Sequence, residues 1–577
     1  MINETAQSTG MNVSPNPLGH KLEIGRHNFK DRILEDCVYV DKTAYIYQLI
    51  NQDSQCFLSR PRRFGKSLLV STLKELFSGS KELFKNCWIY DQMDWHVYPI
   101  IHLDFLRIDY RTLGLERALD ETMVSLATHF NLQLHRQSSK GKLAELIELV
   151  AKDKKVVILV DEYDKPIIDY LENLPEAVKN RDTLKNFFSI FKSYTDKIRF
   201  LMITGVSKFS QVSIFSDLNH LSDITLDPRY SGILGYTLAE IQHYFPTYID
   251  QWEQQTGEKR QILFEKLQDY YNGYSWDGVH FMYNPFSILS FFGTYQFDNY
   301  WSSTGTPTFL VNVLKNTDIM VSQYDRFSVY AHFFAKYDIQ TIGADNISAL
   351  LFQTGYLTIK EKNDQCYTLS YPNREVKTAF LHYLLEGFSN KPGNEANLIT
   401  EQLREALAEN NIDNFIQALK SLLSSIPYNM QVPHREAYYH SLIYIALKMS
   451  MAGVFAEIQT AMGRSDIVVS LDRCLYILEF KMGSAQSALD QILTKRYYSP
   501  YLGQNKKIIL LGIGLQESER NIVDWKIQEL GSNPHPSISQ DAQAEKRRIA
   551  KQMLTDNLPV EFIVKYSGLS EAEIKAL

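Results

Sequence analysis

The run Val156-Val157-Ile158-Leu159-Val160, closed by Asp161 and Glu162, constrains this chain more than any other stretch. Five successive apolar residues leave no face for solvent. A strand there must be covered on both sides, which is the situation of a parallel sheet between helices. Two acids at the carboxyl end of such a strand have no packing reason to be there, but they suit a magnesium-nucleotide site. Asp161 is expected to hold Mg²⁺ through water, and Glu162 to polarise the attacking water.

A partner for that strand lies upstream. Arg60-Pro61-Arg62-Arg63-Phe64-Gly65-Lys66-Ser67 follows the apolar piece Cys56-Phe57-Leu58 and precedes a helical pattern from Leu68 through Leu73, Leu76 and Phe77. Strand, loop and helix in that order make a phosphate cradle, because backbone amides and a helix N-terminus converge on one anion. Arg63, Phe64, Gly65, Lys66 and Ser67 are therefore candidate nucleotide-binding residues. Lys66 would neutralise the β- and γ-phosphates of ATP, and the Ser67 hydroxyl would ligate Mg²⁺. Arg60 stands where the usual motif has its first glycine. A third apolar run, Arg199 to Gly205, ends in Thr204, a candidate γ-phosphate sensor. Asp164, Thr204 and Ser207 are all soft candidates there, since Asp164 also reads as a cap on the following segment and Thr204 and Ser207 as residues that only satisfy loop amides. Arg62 and Arg63 are open between touching phosphate, acting in trans as arginine fingers and plain solvation, and Arg229 is a second candidate finger.

A second set of charges interrupts apolar runs near the C-terminus. Asp466 opens the β-branched run Ile467-Val468-Val469, and Glu479 and Lys481 stand two apart within Leu475 to Lys481. Residues two apart on a strand share a face. Paired carboxylates hold a hard divalent cation, Mg²⁺ or Mn²⁺, and the lysine steadies an attacking water or a scissile phosphate. Asp466, Glu479 and Lys481 are thus candidates for phosphodiester hydrolysis, with Glu457 a candidate third acid because it sits between apolar neighbours. A structural ion pair is the bland alternative. His440, after Tyr438-Tyr439, reads as a packed, hydrogen-bonded histidine.

Tyr39-Val40-Asp41-Lys42-Thr43, the segment 60–67, Asp161 to Pro166, Thr204 to Ser210, Tyr271-Asn272-Gly273-Tyr274, Tyr283 to Ser287 and Asn299-Tyr300-Trp301 together resemble the bacterial AAA-ATPase-like proteins. Asp466 with Glu479-Phe480-Lys481 resembles the PD-(D/E)XK nuclease superfamily, whose domain commonly follows that ATPase. The resemblance runs from about Leu22 to about Leu515, and within it Arg60 is no departure. It further implies Glu436, on a helix over Arg435–Met449, as an additional metal-site acid, and Gln491 and Tyr498 as positioning residues, with plain helix-face polarity an equal reading of these last two.

The expected fold class is α/β: a doubly wound P-loop NTPase, then a helical and winged-helix-like section, then a PD-(D/E)XK α/β domain. The expected boundaries are a disordered tail over 1–20, the ATPase over 21–235, the helical section over 236–425 and the nuclease-like domain over 426–530. A linker and helical hairpin occupy 531–577. In the middle section a helix over Ile347 to Tyr356, a hairpin of 357–360 with 366–369, and a helix from Asn373 to Leu385 suggest the winged helix. The C-terminal pair, Ile549 to Asn557 and Pro559 to Leu577, breaks at Gly568, with Ser570 as an N-cap. The 577 residues suffice for several cores. No apolar run approaches the roughly 18 residues of a membrane span, and no signal core opens the chain. The five cysteines are scattered, which suits reduced thiols in a cytoplasm and argues against a zinc site. The net charge of −7 means that nucleic-acid contact must use local basic patches or the metal.

The expected activity is ATP hydrolysis coupled to metal-dependent cleavage of DNA, RNA being less favoured, with defence or mobile-element control as the role and a homo-oligomer as a possible assembly. The alternative is a nucleotide-switched ATPase whose nuclease fold docks nucleic acid or protein without cutting. A third reading, a transcription-linked ATPase, would act through the winged helix.

Overall fold

The computed structural model describes residues 20–207, 220–304, 308–315, 320–330, 347–363, 365–424, 435–451, 453–460, 463–516, 521–530, 540–555 and 560–577. Residues 1–19 of the expected tail (1–20), most of the expected linker (531–539) and Lys208 to Ser210 lie outside them. Two compact units divide the chain: residues 1–309 with 326–379, and residues 310–325 with 380–577.

The first unit is built on a five-stranded parallel sheet of β1 (Gln55–Ser59), β2 (Ile100–Asp104), β3 (Val156–Asp161), β4 (Ile198–Gly205) and β5 (Ser222–Asp223), in the order β2-β3-β4-β1-β5. Every residue of β1 and β3 is buried, as their unbroken apolar character demands when helices cover both faces. Helix Lys66–Phe77 follows β1 and turns Leu69, Val70, Leu73, Leu76 and Phe77 into the core. In the same unit, β6 (Phe327–Tyr330), β7 (Thr358–Lys362) and β8 (Cys366–Ser370) form an antiparallel sheet in the order β6-β8-β7. The expected 357–369 hairpin is thus two strands of three. Helix Ile347–Thr354 precedes it and helix Arg374–Ser389 follows. Strand pairing at β6 escaped the sequence reading because its partner lies about forty residues downstream.

The second unit carries a mixed sheet of β9 (Val454–Thr460), β10 (Gly463–Ser470), β11 (Cys474–Met482), β12 (Lys507–Gln516) and β13 (Asn521–Leu530), in chain order across the sheet. β11 and β12 run parallel, and the other pairs are antiparallel. A parallel pair needs a crossover, supplied here by helix Ala485–Thr494. The helix lies unusually close to β12: a Cβ on Gly512 would sit 2.4 Å from the Ala485 carbonyl oxygen and 2.6 Å from the Leu489 nitrogen. Gly514 is equally tight, at 2.5 Å from the Gly483 carbonyl oxygen. Only hydrogen fits at either place.

The C-terminal segment holds a small core of Ala550, Ile563, Leu569 and Ile574. Its first helix, Gln540–Thr555, begins earlier than periodicity alone placed it, and the rest divides into Val560–Ser567 and Glu571–Lys575. The break is Gly568 (φ +67°), and Ser570 caps the last helix in a reciprocal pair with Glu573. All five cysteines are free thiols. Among the described residues no helix is long and apolar enough to cross a membrane.

Candidate functional site

In the first unit β4 lies between β1 and β3, so the loop after β1 and the acids after β3 flank the end of β4. Ligands of open α/β sheets gather at that carboxyl edge. Gly65 has φ +93°, and a Cβ there would make only an ordinary 3.9 Å contact with Leu234, so the left-handed backbone rather than crowding selects glycine there. Arg63 also takes a left-handed conformation, φ +69°. Such alternation turns successive amides inward to form an anion nest. Lys66 is only 4% exposed. Its ammonium donates to the carbonyls of Arg60 (3.1 Å) and Pro61 (3.2 Å) and stands 3.9 Å from Glu162 Oε1.

Asp161 is buried and accepts a hydrogen bond from the Thr204 hydroxyl at 2.5 Å. Glu162 has φ +55°, a strained position for a side chain of this size. Behind it, Asp164 Oδ2 accepts from the amides of Val206 (3.0 Å) and Ser207 (2.7 Å) and from the Ser207 hydroxyl (2.7 Å). Burial raises the Asp164 carboxyl to about 6. The Tyr163 hydroxyl donates to the Ser207 carbonyl at 2.9 Å, and a Cβ on Gly205 would lie 2.5 Å from the Tyr163 ring. The acidic turn after β3 and the glycine turn after β4 therefore interlock, and Asp164 and Ser207 serve that join.

A cavity of about 520 Å³ opens beside this edge. Arg62 to Ser67 and Glu162 line one part, and Val40, Ile46, Ile233, Leu234 and Phe286 supply an apolar part suited to a base. Asp161 and Thr204, both buried, are not among its lining side chains. Phe64 turns its ring into a buried cluster, edge-on to Tyr274 (4.7 Å) and Trp276 (5.4 Å), so what it offers a phosphate is its backbone amide. The apolar wall was not picked out as a site from the sequence. Its residues come from four separated segments, and the only signals were the short motifs at 39–43 and 283–287.

Arg60 is fully buried and is a scaffold residue. Its guanidinium donates to the carbonyls of Ser59 (2.9 Å), Thr225 (2.8 Å) and Tyr230 (3.2 Å) and lies 3.9 Å from the Trp276 ring centre. Arg229 is held by Asp227 (2.6 Å) and Gln52 (3.0 Å), with Asp53 at 3.8 Å. Gln52 and Asp53 precede β1, whereas the phosphate loop follows it, so Arg229 belongs to the opposite end of the sheet. The motifs at 283–287 and 299–301 meet at Glu375, which accepts from the Ser287 hydroxyl (2.8 Å) and the Trp301 amide (2.7 Å). The Trp301 indole in turn donates to the Arg62 carbonyl at 3.3 Å. Burial pushes the Glu375 carboxyl up to about 8.

In the second unit Asp466 lies on β10 beside Glu479 of β11. The Phe480 amide donates to Asp466 Oδ2 at 2.8 Å, and the Asp466 amide approaches Glu479 Oε2 at 3.3 Å. Lys481 Nζ stands 3.8 Å from Glu479 Oε1. Glu479 is 1% exposed, and burial, followed by the Asp466 charge, raises its carboxyl to about 8, with Lys481 opposing. Gln491, carried by the helix that Gly512 and Gly514 admit, donates to Glu479 Oε1 and to the Tyr497 hydroxyl (3.1 Å). The hydroxyl that meets Gln491 is thus that of Tyr497, a buried member of the adjacent apolar cluster, and Tyr498 is partly buried against the same cluster. His440 Nε2 lies 3.2 Å from the Asp466 carbonyl oxygen, as a packed histidine should.

Glu436 lies on helix Arg435–Ser450 and Glu457 on β9, but their side chains fall outside the described residues. Among the described residues no three of His, Cys, Asp and Glu converge on one point. The donor set in hand is the Asp466–Glu479 pair. It fits a hard divalent cation, because two adjacent carboxylates, Glu479 buried and Asp466 half-buried, repel each other until a cation is placed between them.

Two family models match the chain, one in each of these regions. The AAA-ATPase-like model, described as "Predicted AAA-ATPase", matches residues 23–215, and a PD-(D/E)XK nuclease superfamily model matches 434–525. A protein of Azotobacter chroococcum mcd 1, described as an uncharacterized protein in the vnfD 5' region, is 34% identical over 527 residues, covering 89% of this chain and 99% of its own. With both sets of strands in place and a full-length relative at that identity, the chain belongs to the AAA-ATPase-like proteins that carry a C-terminal PD-(D/E)XK nuclease superfamily domain.

Proposed function

We propose that the protein hydrolyses ATP in its first unit and cleaves phosphodiester bonds, in DNA rather than RNA, in its second. The observation that carries the nuclease half is the Asp466–Glu479 pair with Lys481 at 3.8 Å. A buried Glu479 between a half-buried Asp466 and a half-buried Lys481 has no packing rationale and supplies the groups that cleavage needs. Mg²⁺ or Mn²⁺ held by Asp466 and Glu479, with Glu436 and Glu457 as further ligands, would acidify a water and take up phosphate charge. Lys481, partly exposed, neutralises the phosphate oxygen nearest the attacking water. Gln491 fixes the Glu479 carboxylate so that its orientation does not depend on substrate.

In the ATPase half, the amides of Arg63 to Ser67 and the Lys66 ammonium hold the phosphates. Ser67 and Asp161 serve Mg²⁺, Thr204 orients Asp161, and Glu162 accepts the proton of the attacking water. Nucleotide state then gates cleavage, a device suited to defence against foreign nucleic acid in the cytoplasm. The test is incubation with Mg²⁺ or Mn²⁺, with and without ATP, on single- and double-stranded DNA and RNA. Cleavage that disappears in Glu479→Ala and Lys481→Ala supports the reading. Undiminished cleavage by the double variant refutes the site, and no cleavage on any substrate favours a docking module.

A further inference from the structure

Four arginines line the cavity beside the phosphate loop, and two of them are already committed. Arg26 is paired with Glu35 and lies 3.7 Å from Glu23. Arg32 is buried and donates to the carbonyls of Val38, Glu23 and Arg26. Arg62 and Arg63 are different. Both are exposed, and among the described residues neither has a carboxylate partner. The Arg63 guanidinium is set over the Phe286 ring at 4.5 Å, and Phe286 lines the same cavity, so that cation is held at its mouth by a neutral surface. The Arg62 backbone is fixed by the Trp301 indole at 3.3 Å. The lysines give the contrast: Lys42 is paired with Glu240 at 2.6 Å and Lys165 with Asp169 at 3.0 Å. A chain of net charge −7 thus keeps, on the lining of the cavity that Lys66 and Glu162 also line, two guanidinium groups without a carboxylate partner among the described residues.

We propose that Arg62 and Arg63 act in cis as the charge-stabilising groups for ATP hydrolysis, so that turnover needs no arginine from a second copy of the chain. This rests on the ATPase reading above. Guanidinium groups do not lose their protons in proteins, so their part is electrostatic and hydrogen-bonding only. The water oxygen forms the new bond to the γ-phosphorus, and the bond from that phosphorus to the β,γ-bridging oxygen breaks. ADP leaves with the electron pair, and the water proton passes to Glu162. Negative charge moves onto the bridging oxygen and the γ-oxygens, where fixed cations lower the barrier. Arg229, tied to Asp227 at the other end of the sheet, plays no part.

The experiment is subunit mixing. The Arg62→Ala/Arg63→Ala double variant is expected to turn ATP over at least about 10²-fold more slowly than the wild type. It should keep a thermal shift with ATP that reports a folded, nucleotide-binding protein, and lysine at both positions should restore part of the rate. Mixing it with the Lys66→Ala variant, which retains both arginines but lacks the phosphate lysine, is expected to restore nothing. Wild-type specific activity should stay constant across a hundredfold range of protein concentration, and Arg229→Ala should match the wild type. Recovery of activity in the mixture would overturn the proposal, since the arginine would then act in trans. A double variant as fast as the wild type would overturn it as well. A wild type without ATP turnover would instead refute the ATPase reading itself, a separate and recognisable outcome.

Discussion

Replacing Glu375 with glutamine should make the first unit more stable at high pH and leave it nearly unchanged at low pH. The carboxyl is 0% exposed, and burial is the dominant reason that it ionises near 8 rather than 4.5. Its hydrogen bonds from Ser287 Oγ and the Trp301 amide pull the other way without cancelling that cost. Because the folded value is raised, the folded state keeps a proton that the unfolded chain has lost. The stability this contributes is fully present below about pH 4.5 and declines as pH rises towards 8. The interval corresponds to at most about 5 kcal/mol. Half of that, about 2.5 kcal/mol, is a measurable target. Glutamine has the same shape, can accept from both donors and never ionises. Urea unfolding of wild type and Glu375→Gln at pH 5, 6, 7 and 8.5 should show the wild type losing ground steadily relative to the variant. Parallel curves over that range would refute the reasoning, because they would mean that Glu375 carries the same charge in both states.

Other consequences concern packing and charge. Arg60→Ala should destabilise the first unit by about 3 kcal/mol, read by denaturant unfolding, since three carbonyls lose their donor. Gly512→Ala should cost about 1–3 kcal/mol in thermal unfolding and depress cleavage, because its methyl would meet the Ala485 and Leu489 backbones and push Gln491 off Glu479. Lys66→Ala should abolish the rise in melting temperature that ATP gives the wild type, which at a hundredfold excess over Kd corresponds to about 2.7 kcal/mol.

Much of the architecture was legible because strand-end chemistry is local. Val156 to Glu162, Gly65-Lys66-Ser67 and Asp466 with Glu479-Phe480-Lys481 each carry their strand context and charges within a few residues, and the structure puts each on the element expected. Long-range partners were illegible. Nothing in the neighbourhood of Arg60 announces that it caps Thr225 and Tyr230, and nothing near Ser287 or Trp301 points to Glu375, some 75 to 90 positions away. The contact of Tyr497 with Gln491 was also beyond local pattern. It depends on how the turn after helix Ala485–Thr494 leaves its last residue, and adjacent tyrosines there read alike. The tightness of Gly512 and Gly514 against that helix follows from the crossover, which no window of sequence contains.

The central claim is that Asp466 and Glu479 gather around a divalent ion in a unit separate from the nucleotide pocket. Calorimetric titration of Mn²⁺ into the Lys66→Ala variant without nucleotide tests it most directly. The account predicts a bound ion that disappears when Asp466→Ala and Glu479→Gln are added. Mn²⁺ binding of equal stoichiometry and affinity in the protein lacking both carboxylates would contradict it.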